Sequence, residues 1–155
     1  MANSSCLRGI SVWIAGVMSL LVCVAGARAD EAEARYRVGL NYKKQGKTAQ
    51  AIAEVKAAVK LRPDHAAAQM TLGGLYADQN MYPEALGCYD KVIQLSPQHA
   101  QAYALSGATL IRLKRYPEAV PRLRKAVELD KKDVQSISNL GLALRQSGQN
   151  AEAIR

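Results

Sequence analysis

Residues Ala66 to His99 read AAAQMTLGGLYADQNMYPEALGCYDKVIQLSPQH, and their pattern recurs at a fixed spacing through the chain. Gly39, Gly73, Gly107 and Gly141 fall in one register, and Ala51, Ala85, Ala119 and Ala153 in another. Leu61, Leu95 and Leu129 make a third series, and Pro63 and Pro97 a shorter fourth. Four series sharing one period of about 34 residues indicate stacked helical hairpins. Within the units the apolar residues fall three and four apart, as in Ala51, Val55, Ala58 and Leu61, which is the helical spacing. A glycine inside a helix costs about 1 kcal/mol relative to alanine. Four of them in register therefore predict close helix packing, with the glycine and alanine series together letting the two helices approach.

The quoted unit carries Leu72-Gly73, Tyr76, Tyr82-Pro83-Glu84-Ala85, Tyr89, Val92, Leu95 and Pro97. In this it resembles the tetratricopeptide repeat, over roughly Ala32 to Arg155. The resemblance implies an all-α, right-handed superhelical solenoid of antiparallel helix hairpins, with about four repeats and the last incomplete. Repeat boundaries are expected at 32–65, 66–99, 100–133 and 134–155, within one domain spanning 30–155. Pro83 and Pro117 are expected in the first turn of second helices, where a missing N–H is harmless. Pro121 sits a turn further in, Asp64 is the expected cap of the helix that opens repeat two, and Gly46-Lys47-Thr48 reads as an inter-helix turn.

Residues 1–29 have a different composition. Arg8 precedes an uncharged run from Gly9 to Gly26, followed by Ala27-Arg28-Ala29 and the acidic pair Asp30-Glu31. These are the parts of a signal peptide, with cleavage expected after Ala29. An anchor formed by residues 9–26 is the alternative, because the run approaches the length needed to span a bilayer. A buried N-terminal helix is a third reading, and Leu21-Val22 argues against lipidation at Cys23. Either leading option places the repeats in the periplasm or outside the cell. The last repeat stops within its second helix, so the chain is expected to continue or to dock by that end.

The formal charge is +8, from 21 Lys and Arg against 13 Asp and Glu. Without Arg8 and Arg28 it is 19 against 13, or +6. That bias favours anionic partners, but no aromatic residues interleave a basic stripe as nucleic-acid binding requires. Past the leader only Cys88 remains, which excludes a disulfide framework. His65 and His99 lie one repeat apart and have no companions at zinc-ligand spacing, so both are expected to be solvated loop residues. Glu54, Glu84, Glu118 and Glu128 are expected as solvated charges on second helices. No catalytic set, metal site or cofactor motif is expected, and the chain reads as a non-enzyme.

The resemblance also implies a ligand groove lined by the first helix of each repeat. On this chain it points to Tyr36, Arg37, Leu40 and Lys44 in repeat one, Met70 in repeat two, and Leu105, Ile111 and Arg112 in repeat three. In repeat four it points to Asn139, Leu142 and Arg145. The expected occupant is another protein's segment with apolar anchors and an acidic flank. Chaperone-binding relatives hold a carboxylate with Lys and Asn, but the matching positions here are Tyr36, Leu40, Thr71, Gln101 and Leu105, so that clamp is missing. The chain is read as an exported interaction scaffold. The alternative is the non-catalytic repeat segment of a longer envelope enzyme or assembly machine.

Overall fold

A computed structural model of the protein describes residues 27–148. Seven helices follow one another: α1 (27–44), α2 (Thr48–Leu61), α3 (Ala66–Asp78), α4 (Tyr82–Leu95), α5 (Ala100–Arg112), α6 (Tyr116–Leu129) and α7 (Val134–Gln146). No strand occurs among the described residues. Odd-numbered helices open the repeats and even-numbered helices close them. Residues 1–26 of the expected leader, and residues 149–155 of the expected last hairpin, lie outside the described residues. The short connections fold each pair back as an antiparallel hairpin, and hairpins stack so that substantial contacts join helices adjacent or next but one in sequence.

Glycine makes the hairpins close. A methyl group on Gly39 would lie 2.5 Å from Val55 Cγ2, on Gly73 2.6 Å from Tyr89 Cε1, and on Gly107 2.5 Å from Leu123 Cγ. The separation along the chain is the same in all three pairs, so the repeat sets both members of the contact. The nearest side chains to these glycines are Val55, Tyr89 and Leu123 rather than the register alanines. At Gly39 the Ala51 carbonyl oxygen would stand 3.4 Å from the same methyl group, farther than Val55. A long side chain fills the notch because a glycine opens more room than alanine can occupy. Ala51, Ala85 and Ala119 are themselves fully buried in the two core clusters.

The first helices all end the same way. Lys47 N donates to Tyr42 O, Met81 N to Tyr76 O and Arg115 N to Leu110 O, at 3.0, 2.9 and 2.9 Å. One residue earlier, Gly46 N, Asn80 N and Lys114 N donate to Lys43 O, Ala77 O and Ile111 O. This pair of bonds is the Schellman closure, which requires a left-handed residue after the helix. Gly46, Asn80, Lys114 and Gly148 supply it with φ of 72°, 59°, 59° and 81°. Glycine and asparagine suit that backbone, whereas lysine does not.

The second helices start as expected, with proline in the first turn of α4 and α6 followed by Glu84 and Glu118. Helix α6 runs on through Pro121. The cap of α3 is a correction: His65, not Asp64, occupies that position, and it makes no side-chain capping bond. Its repeat mates do cap, His99 through Nδ1 to Ala102 N at 3.2 Å and Asp133 through Oδ1 to Gln135 N and Ser136 N.

Neither histidine is a freely solvated loop residue. His65 is 7% exposed, because α1 packs over the boundary that carries it. Its Nε2 lies 3.2 Å from Glu33 Oε2, and its ring meets Tyr36 edge-on at 4.9 Å. Three of the carboxylates expected as solvated charges on second helices also form ion pairs, Glu54 with Arg35, Glu118 with Arg115 and Glu128 with Lys125. Between second helices, Arg122 Nη1 stands 2.7 Å from Asp90 Oδ1, close enough for an ion pair although its angle is outside hydrogen-bond geometry.

Candidate functional site

The face formed by α3, α5 and α7 holds two hollows. The first, about 330 Å³, lies between α3 and α5 and is lined in part by Ala77, Asp78, Asn80, Tyr82, Leu105 and Arg112. The second, about 560 Å³, lies between α5 and α7 and includes Ile111, Lys114, Tyr116, Asn139 and Leu142, again with Arg112. The two are one site repeated. Ala77, Asp78, Asn80, Tyr82, Leu105 and Ala108 in the first correspond, one repeat on, to Ile111, Arg112, Lys114, Tyr116, Asn139 and Leu142 in the second. Ala108 and Arg112 line both, so they form the shared wall.

Local chemistry differs between the copies. Asp78 in the first becomes Arg112 in the second, and Asn80 becomes Lys114. No carboxylate among the described residues lines the second hollow. Among the described residues no ion pair engages Arg112, Lys114 or Arg145. In the first hollow the Tyr82 hydroxyl donates to Asn80 Oδ1 at 2.6 Å, and in the second Gln135 Nε2 donates to Asn139 Oδ1 at 3.2 Å. Tyr89 floors the first hollow, and burial pushes its phenol up to about 12, with Asp78 and Cys88 adding to the shift. It therefore stays neutral at physiological pH.

The structure brings Leu105, Ile111, Arg112, Asn139 and Leu142 together in these two hollows. Arg145 is exposed on α7 outside both linings. In repeat one, Tyr36 is engaged by its neighbours: its hydroxyl lies 3.2 Å from Thr71 Oγ1, and its ring packs on the first core cluster with His65. Arg37 is exposed and donates to Glu33 at 3.2 Å, while Lys44 is exposed and Leu40 half-buried. Met70 is half-buried against the same core cluster. Sequence reasoning passed over Asn80, Tyr82, Lys114 and Tyr116 because it took groove residues only from the first helices. These four lie at or just past the left-handed turn, and aligning the Gly46 and Gly148 column with Asn80 and Lys114 would have exposed them.

A third hollow, about 390 Å³, lies away from this face and is lined by Arg28, Glu31, Arg35, Ala57, Lys60 and Leu61. Arg35 there is bound by Glu31 at 3.1 Å and Glu54 at 3.4 Å. Among the described residues no three His, Cys, Asp or Glu stand together as metal ligands. Cys88 is buried, and desolvation pushes its thiol up to about 11, away from the range of a reactive thiolate. No described helix is long and apolar enough to cross a membrane.

The tetratricopeptide repeat pattern matches residues 36–100, 75–134 and 105–155, which together cover residues 36 to 155. The chain belongs to the tetratricopeptide repeat family. No curated protein sequence matches it. Among solved structures it is similar to the first such domain of Spaghetti (RPAP3) bound to the HSP90 peptide SRMEEVD, with a TM-score of 0.72 and 19% identity over 77% of this chain and 95% of that one. It is also similar to YrrB, described as having an unusual peptide-binding site, with a TM-score of 0.71, 24% identity, and coverage of 77% of this chain and 61% of that one. A third is MamA from Desulfovibrio magneticus RS-1, with a TM-score of 0.73, 24% identity, and coverage of 80% and 70%. At these identities the likeness establishes the shared solenoid fold. Tetratricopeptide arrays are typically protein-binding scaffolds without catalytic machinery.

Proposed function

We propose that this tetratricopeptide protein is an exported, non-catalytic scaffold that holds a segment of another protein in the groove of α3, α5 and α7. The observation that carries the reading is the recurrence of one hollow in successive repeats on a single face, with apolar walls and an unpaired guanidinium between. Leu105, Ile111 and Leu142 supply surface for apolar anchors, and Arg112 supplies charge-assisted bonds for a carboxylate beside them. Two of the similar structures are described as peptide-binding, which suits the same use of the fold. Export rests on the basic, apolar and small-residue order of residues 1–29, and places the scaffold in the periplasm or outside the cell once the leader is removed after Ala29.

The test is site-specific photo-cross-linking in envelope extract. A benzophenone side chain at Leu105 or Leu142 should form a discrete adduct. The same group at Gln94, exposed on α4, should not. Adducts formed equally at all three positions, or at Gln94 alone, would move the binding surface off the groove.

A further inference from the structure

We infer that the two hollows read opposite charges in register, an acidic side chain between α5 and α7 and a basic one between α3 and α5, about three positions apart on one extended segment. This rests on the groove reading and adds to it a composition and a spacing. The spacing follows from geometry. Stacked helices stand about 8–10 Å apart, and an extended chain advances about 3.3 Å per residue. Consecutive hollows therefore meet side chains about three positions apart.

The charges follow from the substitutions between the two copies. Moving from the first hollow to the second replaces Asp78 by Arg112 and Asn80 by Lys114, and each change is toward positive charge. Lys114 carries further weight because of its backbone. It adopts φ of 59° in a column otherwise filled by Gly46, Asn80 and Gly148. A glycine there would relieve the left-handed strain, so the lysine is kept at a cost in backbone stability and presents its ammonium beside the hollow.

Arg112 couples the two positions. It lines both hollows, and without a ligand it would repel a cation approaching Asp78. An acidic side chain bound in the second hollow neutralises Arg112 with Lys114 and leaves Asp78 as the uncompensated charge of the first. The basic side chain then gains from Asp78 only when the acidic one is present. Recognition is therefore cooperative within one segment, rather than a sum of two independent charges.

The probes are fluorescein-labelled short peptides in a common Ala, Leu and Ser background, read by anisotropy at low salt. They carry Glu and Lys about three positions apart, the same pair placed adjacently, Glu with Gln in place of Lys, Lys with Gln in place of Glu, or Gln at both positions. The spaced pair should bind tightest, by about tenfold over either single-charge peptide, the scale of one charge-assisted contact. Replacing Lys by Gln should matter only in the peptide that retains Glu. Asp78→Asn should erase the Lys preference and keep the Glu preference, whereas Arg112→Gln should weaken the Glu preference and leave a Lys preference that no longer depends on Glu. Lys114→Gly should weaken the Glu preference while raising the thermal midpoint, a combination that a merely structural lysine would not give.

Affinities indifferent to spacing, or a Lys preference that survives Asp78→Asn, would overturn the inference. If no peptide binds while a cross-linker at Leu105 still captures a partner, the charge register is wrong and the groove reading stands. If the cross-linker also captures nothing, both fall together.

Discussion

Gly73 and Gly74 are neighbours on α3, and the same substitution at the two should change stability in opposite directions. A methyl group on Gly73 would stand 2.6, 3.0 and 3.1 Å from three atoms of the Tyr89 ring, whereas one on Gly74 would meet nothing within 4 Å. Carbon atoms pack best at about 3.5–4.0 Å, so Gly73→Ala requires the ring or the helix to retreat by about an ångström. Tyr89 is 1% exposed and packs within the first core cluster, so moving its ring disturbs the neighbours that hold it. Overpacking of this kind costs about 1–3 kcal/mol, and the gain in helix propensity on leaving glycine offsets about 1 kcal/mol. The net loss for Gly73→Ala is then up to about 2 kcal/mol. Gly74→Ala takes the propensity gain without the clash and should stabilise by about 0.8–1 kcal/mol. At about 4 °C per kcal/mol for a domain of this size, the two melting midpoints should lie on opposite sides of wild type, several degrees apart. Thermal denaturation followed by circular dichroism measures both. If Gly73→Ala melts at or above Gly74→Ala, the hairpin contact between α3 and α4 is not set by this notch.

Other outcomes follow from single residues. Trp13 is the only tryptophan and lies within the proposed leader, so removal of residues 1–29 predicts tyrosine-only fluorescence and an intact mass beginning at Asp30 in protein from the envelope; retained tryptophan emission would refute that removal. Asp133 caps α7, and the Ser136 hydroxyl, helped by the backbone amides of Ser136 and Gln135, lowers its carboxyl below the usual value. Asp133→Ala should cost about 1 kcal/mol at neutral pH. Because the folded-state value is depressed, that stabilisation is complete above the unfolded value near 4 and is lost as pH falls through the folded one. Parallel acid titrations of the two proteins should therefore converge at low pH, and a gap that persists there would contradict the cap. Cys88 is 8% exposed with its thiol raised to about 11, so a thiol reagent at pH 8 should label it only after denaturant unfolds the hairpin. Rapid labelling of folded protein would refute that burial.

The fold was legible because its determinants repeat. A single glycine in a helical pattern says little, but Gly39, Gly73 and Gly107 together required a partner surface. The partner itself was harder to name. Val55, Tyr89 and Leu123 differ in shape, and only the notch they share makes them equivalent. His65 was misread for a related reason. At its boundary position the sequence shows a loop, and burial comes from Glu33 and Tyr36 on α1, at the far end of the preceding repeat. Half of the groove was readable from the first helices, as Leu105, Arg112 and Leu142 show. Lys114 and Tyr116 were not, since they come into the site through a left-handed turn that a search by helix face does not visit.

Among the described residues, substantial contacts join helices adjacent or next but one in sequence, and this bears on how such a chain can be delivered. A sheet whose first strand pairs with its last must wait for the whole polypeptide before it can form. Here the helices that α3 needs, α2 and α4, flank it directly, and α5 completes its hairpin stack soon after. A chain threaded end-first through a narrow channel can therefore assemble hairpin by hairpin on the far side. Each newly arrived pair covers the apolar face of the one before it, so little of that surface is left open to aggregation while the rest of the polypeptide is still in transit.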